Sequence, residues 1–409
     1  MISYDEAIAT VLTNVQALTP VELPLLKTQG LVLAAAAFAR WDMPRWDNSA
    51  MDGFAFAAAS VETSTTLQVV GHSFAGHPFS GQLKPGEAIR ITTGAPIPDG
   101  ADTAVPLEET VEEGNSVLLK NPVLKGQHVR YRGEEFQAGQ ELLPAGTQLH
   151  AGGISLLASA GVDQVNATPR PKVAIFSTGD ELVELGQDLG PGQIVNSNLQ
   201  YLIARLEECG CIPVPLGVGE DRCDDLNRLF DQAQEADLLL TTGGVSVGEK
   251  DLVRQTLFQR GFEQKFWKIA IKPGKPVLFG LLGRKPCFGL PGNPAATAAT
   301  FELFVRPALQ QLVGNANVLA PRLKVKLAEA VSGGGKRQNF LWGELQIVNG
   351  HMEIIPLLRQ GSGQNRSMQK AQALLPVPIG CPGLNAGDEV EVILLRLPQG
   401  QKSPLTTEE

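Results

Sequence analysis

Three lysines fall within eight residues in the stretch Lys268-Ile269-Ala270-Ile271-Lys272-Pro273-Gly274-Lys275-Pro276. A proline after Lys272 and another, Pro276, after Lys275 keep both lysines out of a helix interior and stiffen the backbone that displays them. On a chain of net charge −9, such an island suits phosphate or another oxyanion, with a solvated basic loop as the plainer alternative. Carboxylates at Glu181, Asp221 and Asp251 have the complementary chemistry. They could hold Mg²⁺ against phosphate, because Mg²⁺ takes few protein oxygens and keeps its waters. The segment Asp47-Asn48-Ser49-Ala50-Met51-Asp52-Gly53-Phe54-Ala55 reads, on residue types alone, as a tight turn.

Most of these groups sit where strands are expected to hand over to helices. Val173–Ser177 has strand length and delivers Ser177, Thr178, Gly179, Asp180 and Glu181. Leu238–Thr242 delivers Gly243, Gly244 and Ser246, then Glu249, Lys250 and Asp251. Cys287–Leu290 delivers Pro291-Gly292-Asn293-Pro294. Helical patterns at Asn198–Glu208, Asp224–Ala236, Asp251–Arg260 and Pro294–Leu312 alternate with these strands and with Ile212–Val218, which predicts a doubly wound α/β domain with a parallel sheet. Ligands of such sheets bind beyond the carboxyl ends of the strands, where backbone N–H groups at helix starts attract anions. Each turn alone fits a purely structural role, and so do Glu181 and Asp251 as helix-start carboxylates. Three such turns on one sheet edge point to a binding site.

With 409 residues the chain exceeds what one hydrophobic core holds. A helical pattern at Asp5–Leu18 precedes short β-like runs cut by Gly and Pro from about Pro44 to Ala138. A helix is expected at Gly153–Ala160, and short strands return after Pro321, at Leu323–Leu327, Leu345–Val348, Glu353–Pro356 and Glu389–Leu395. The 43% apolar and 19% charged composition excludes a mainly disordered chain. Net acidity argues against non-specific nucleic-acid binding, and no run spans a bilayer. Five cysteines without a CxxC pair and five scattered histidines indicate buried thiols in a reducing compartment rather than a zinc site. With no basic N-terminal region, a cytoplasmic location is expected.

The segment at Asp47–Ala55 resembles the signature of the molybdopterin molybdenumtransferases, the MoeA family that includes the gephyrin E domain. So do Thr93-Gly94-Ala95-Pro96-Ile97-Pro98, Ser177-Thr178-Gly179-Asp180-Glu181, Gly243–Gly248, Lys272–Pro276, Gly289–Pro294 and Gly361-Ser362-Gly363. The resemblance implies a helical linking domain (1–45 and 139–168), an inserted β domain (46–138), an α/β molybdopterin-binding domain (169–318) and a C-terminal β-barrel-like domain (319–409). It implies a homodimer working with other proteins of molybdenum cofactor biosynthesis. The implied reaction is Mg²⁺-dependent hydrolysis of adenylylated molybdopterin with insertion of molybdate, releasing AMP. Carried over, Asp52, Glu135, Glu181, Asp221 and Asp251 match the acidic set, with Glu181 and Asp251 as the Mg²⁺ ligands. Ser177, Thr178, Gly179, Asp180, Gly243, Gly244, Ser246, Lys268, Lys272, Lys275, Pro276, Asn293, Arg337 and Ser362 match substrate-binding positions. The family usually has an aspartate at Glu135 and an arginine at Trp342, in the pattern Arg337-Gln338-Asn339-Phe340-Leu341-Trp342, and many members have a serine at Ala296. An indole cannot replace a charged fork, so if that arginine holds molybdate, anion affinity is expected to fall unless Lys336 or Arg337 substitutes. The alternative is a scaffold paralogue that binds molybdopterin or nucleotide without efficient turnover.

Overall fold

A computed structural model describes residues 1–62, 64–220, 222–244, 252–358, 360–361, 363 and 365–398. Its centre is a six-stranded sheet in the order Ile212–Gly219, Lys172–Thr178, Leu238–Thr242, Lys285–Leu290, Pro276–Leu282, Phe262–Lys268. The period-two alternation of the strands sorts their side chains onto two faces. Val173 and Ile175 pack with Leu199, Leu202 and Leu206 of helix Ser197–Glu208. Ala174 and Phe176 pack on the other face with Leu226, Leu229 and Phe230 of helix Cys223–Gln232 and with Val253 and Leu257 of helix Leu252–Gln259. Both faces are therefore covered, as a largely parallel sheet requires.

The sheet is mixed rather than wholly parallel. Pro276–Leu282 runs antiparallel to both Lys285–Leu290 and Phe262–Lys268. The sequence pattern does not announce this pair because two register shifts interrupt the ladder between Phe262 and Lys268, which breaks the alternation. The lysine-rich segment is the connection between these two strands. Within it, Ile271 and Lys272 pair with Gln338 and Asn339 of the C-terminal domain.

The helical pattern at Pro294–Leu312 forms as three pieces, α-helix Pro294–Thr300, π-turn Phe301–Val305 and α-helix Arg306–Leu312. Pro307 has no N–H to give the preceding turn, and the π-turn absorbs that loss. The same turn buries Glu302, which pairs with Arg205 at 2.7 Å and with Arg306 at 3.4 Å.

The N-terminal helix Tyr4–Asn14 starts in a capping box between Ser3 and Glu6. It lays Tyr4, Ala7, Ile8 and Val11 onto the core of the α/β domain, where Tyr4 meets Phe304 and Phe340 at 5.8 and 5.3 Å between ring centroids. Residues 1–45 and 139–168 also hold a three-stranded sheet of Val21–Pro24, Gln164–Thr168 and Val32–Leu33, with helix Ala151–Ser159. A second six-stranded sheet spans residues 53–119. Its central strand Gly53–Phe56 approaches Val105 so closely that a Cβ on Gly53 would lie 1.8 Å from the Val105 carbonyl oxygen. In the C-terminal region Gln338–Val348, His351–Pro356, Arg322–Leu327, Glu389–Leu394 and Ala373–Val377 close into a five-stranded barrel through the pairing of Gln338–Val348 with Ala373–Val377.

Candidate active site

The carboxyl ends of Lys172–Thr178, Leu238–Thr242 and Lys285–Leu290 open into a cleft of about 1250 Å³ that the C-terminal domain walls on its far side. The α/β domain contributes Thr178, Glu181, Thr242, Gly243, Gly244 and the Pro291–Pro294 turn. The lysine-rich connection contributes Lys272, Lys275 and Pro276, and the C-terminal domain contributes Arg337, Gly361 and Gly363. Three cations thus face one carboxylate among the described lining residues, and the field in the cleft favours anions. Arg337 is held there by donating to the Ile271 carbonyl at 3.3 Å.

The two glycines after Leu238–Thr242 are needed for close approach. Gly243 and Gly244 have φ of +83° and +63°, and a Cβ on Gly243 would lie 2.4 Å from the Thr178 carbonyl oxygen. A Cβ on Gly244 would lie 2.6 Å from Val253 Cγ2 and 2.8 Å from Thr178 Oγ1. Only bare backbone fits between the two strand ends, so the peptide groups themselves face the cleft.

Ser177 lies below this floor. It is fully buried, donates to Asn196 Oδ1 at 3.1 Å and shares a 2.8 Å hydrogen bond with the Thr242 hydroxyl. Asn196 Oδ1 also accepts from the Leu199 N–H at 3.2 Å, which caps helix Ser197–Glu208. The Asn196 amide nitrogen and the Thr178 hydroxyl are buried without a hydrogen-bond partner among the described residues, and both residues line the cleft. Asn198 donates to the Gly292 carbonyl at 2.7 Å and so ties this helix start to the Pro291–Pro294 turn. Asn196, Ser197, Asn198, Gln360 and Asn365 line the cleft without any sequence reading having singled them out. The one signal was Asn196-Ser197-Asn198 before a helical pattern, which marks a cap as readily as a site.

The remaining expected residues fall into three groups. Asn293 lines the cleft at the start of helix Pro294–Thr300, whereas Gly179 and Asp180 sit beside the lining without forming it. Lys268 lies outside the lining, its Nζ 3.8 Å from the centroid of the Trp267 ring. Asp52 and Glu135 are exposed in the region of the inserted sheet and do not line this cleft of the same chain. Asp52 accepts from the Thr93 N–H at 2.6 Å and its hydroxyl at 2.9 Å, and these bonds hold its carboxyl below the ordinary carboxylate range. Asp221, Ser246, Asp251 and Ser362 lie outside the described residues.

Among the described residues no group of three His, Cys, Asp or Glu side chains gathers as a metal site. Burial pushes the thiols of Cys209, Cys211 and Cys287 up to about 11, about 12 and about 12, which leaves them protonated and inert. Trp342 is 3% exposed and lines a smaller chamber of about 360 Å³ adjoining the cleft, not the cleft itself. The position where the family usually has arginine is therefore set apart from the cations of the cleft, whereas Arg337 stands among them.

Comparison with known proteins finds matches along most of the chain. Residues 2–161 match the family profile of the MoeA N-terminal region (domain I and II), residues 174–311 a probable molybdopterin binding domain, and residues 324–395 the MoeA C-terminal region (domain IV). A molybdopterin molybdenumtransferase of Nostoc sp. is 38% identical over 91% of this chain and 88% of its own. One from Haemophilus influenzae is 35% identical over 96% of this chain and 98% of its own. The crystal structure of a molybdopterin biosynthesis MoeA protein from Pyrococcus horikoshii superposes with a TM-score of 0.82 at 28% identity, covering 96% of this chain and 100% of the other.

Proposed function

The chain belongs to the MoeA family of molybdopterin molybdenumtransferases, and we propose that its cleft inserts molybdenum into molybdopterin as a step of molybdenum cofactor biosynthesis. The observation that carries this reading is the meeting of bare Gly243–Gly244 backbone with Lys272, Lys275 and Arg337 in one cleft. Molybdate and the phosphates of an adenylylated molybdopterin are both oxyanions, and fixed cations beside backbone donors neutralise charge on both. In the proposed reaction water hydrolyses the phosphoanhydride and AMP leaves, and the two dithiolene thiols displace one oxo group of molybdate, whose oxygen leaves as water with the two thiol protons.

Glu181 is the carboxylate that the described residues offer to Mg²⁺. One carboxylate, with phosphate oxygens and waters completing the shell, suits this ion. When bound it supplies further charge neutralisation at the phosphoanhydride. Asp251, expected beside it, lies outside the described residues.

Asp52 and Glu135 do not line the cleft of their own chain, which supports a homodimer in which these carboxylates serve the cleft of the other protomer. A cytoplasmic enzyme that receives its substrate from, and passes its product to, other proteins of the pathway completes the reading.

Purified protein, molybdopterin in its adenylylated form, molybdate and Mg²⁺ should yield molybdenum-loaded cofactor, measured as reactivation of a cofactor-free molybdenum enzyme. Retention of substrate without reactivation would support the scaffold alternative. At molybdate concentrations too low for the Lys275→Ala variant, mixing protomers carrying Asp52→Ala with protomers carrying Lys275→Ala should restore turnover, since one cleft of the hybrid is intact. Failure of the mixture to recover activity would contradict the shared cleft.

A further inference from the structure

Beside the cleft lies the chamber of about 360 Å³, between helix Ser197–Glu208 and the C-terminal barrel. We propose that it takes a neutral bicyclic nitrogen heteroaromatic ring of the bound substrate, either the purine of its nucleotide or its pterin. The proposal rests on the reading of the cleft given above and adds a place for one ring of the same ligand.

Four observations lead there. First, the walls are mostly apolar, formed by Tyr201, Ala204, Met368, Ala371, Leu395 and Trp342, which favours a ring over a hydrated anion. Second, the charged groups are already committed. Glu302, with its side chain 2% exposed, is held by Arg205 and Arg306. Arg205 also meets Glu208, and Arg396 donates to the carbonyls of Ala371 and Gln369. Arg205 and Arg396 balance Glu208 and Glu302, so a phosphate or molybdate would find no surplus cation here.

Third, the indole Nε1 of Trp342 is buried with no hydrogen-bond partner among the described residues. A buried N–H without an acceptor is costly. An aliphatic guest would leave it so, whereas a ring nitrogen or carbonyl oxygen supplies the lone pair. Fourth, Ser197, Asn198 and Asn365 line both the chamber and the cleft. The two cavities therefore adjoin, and one ligand can place its phosphates in the cleft and its ring in the chamber.

The experiment is calorimetric titration of the full-length protein with two probes, AMP and 6-hydroxymethylpterin. Ala204→Leu fills the chamber from an exposed position on helix Ser197–Glu208, so the fold is retained. Trp342→Phe keeps most of the apolar volume and removes the donor. The expected result is that one probe loses affinity about tenfold in Ala204→Leu and about fivefold in Trp342→Phe, the worth of a lost hydrogen bond. The other probe is unchanged, and the probe that responds identifies the ring. Wild-type affinity of both variants for both probes would overturn the proposal, as would the absence of binding of either probe to the wild type. AMP binding that Lys275→Ala weakens, with neither probe affected by Ala204→Leu, would overturn the chamber and keep the cleft. AMP binding that Ala204→Leu weakens and Lys275→Ala leaves alone would keep the chamber and count against the cleft.

Discussion

The cleft is walled largely by backbone and by cations at fixed positions. Gly243, Gly244 and the Pro291–Pro294 turn form its floor, and Lys272, Lys275 and Arg337 stand over it. The chamber a few side chains away is walled by apolar side chains around a buried ion pair that is satisfied within the protein. The two cavities share Ser197, Asn198 and Asn365, yet one favours oxyanions and the other a neutral ring. Adjacent parts of a site can thus divide the chemistry of one ligand, with charge read in one place and shape in the other.

The strongest way to break this contrast is to remove the carboxylate that keeps the chamber neutral. Glu302→Ala removes the buried partner of Arg205 and Arg306 and leaves Arg205 only the exposed Glu208, and should cost about 3 kcal/mol of stability, read from denaturant unfolding. A loss below about 1 kcal/mol would show that solvent already screens the pair.

Placing the family's usual arginine in the chamber should also destabilise the fold. Trp342→Arg buries a charge at a position 3% exposed and should cost roughly 3 kcal/mol. The same variant should leave the molybdate dependence of turnover unchanged, because this position does not line the cleft. A sharper response to molybdate in Trp342→Arg would join the two cavities into one anion site.

Lys275→Ala tests the cleft alone. It should raise the molybdate concentration needed for half-maximal turnover about tenfold, the worth of one charge-assisted contact. The melting temperature should not move, because the side chain is exposed.

The smallest effect concerns Asp52. Its two bonds from Thr93 stabilise the ionised form, so its titration by nuclear magnetic resonance should have a midpoint below about 3.9, the ordinary value. With a depressed folded-state pKa, any stability the pair supplies is present above the unfolded value and is lost as pH falls through the folded one. Thr93→Val should remove the hydroxyl bond and raise the midpoint; an unchanged midpoint would assign the whole shift to the backbone N–H.

The contrast between the cavities also marks what was legible in the sequence. Strand ends followed by Gly-Gly or Pro-Gly-Asn-Pro are local signals, and they located the cleft floor at Thr178, Gly243, Gly244 and Asn293. The lysines were legible because proline fixed their backbone, although the antiparallel pair that carries them was not. The chamber had no local signal. Arg205 and Glu302 lie 97 residues apart and meet only because a π-turn before Pro307 rotates Glu302 inward. Trp342 showed in sequence only as a missing arginine, and its seat in the shared core required the barrel to close against the α/β domain. Ser177 illustrates the opposite failure. A hydroxyl at a strand end reads as a ligand contact, yet period-two alternation turns it onto the face covered by helix Ser197–Glu208, where Asn196 and Thr242 occupy it.

The most direct test of the central claim is the release of AMP from adenylylated molybdopterin by the purified protein with Mg²⁺, followed across a molybdate titration beside Lys275→Ala. The account predicts release that rises with molybdate and saturates, with the curve of the variant displaced to higher concentration. Release that ignores molybdate, or curves of wild type and variant that coincide, would contradict the assignment of this cleft as the place where molybdate is used.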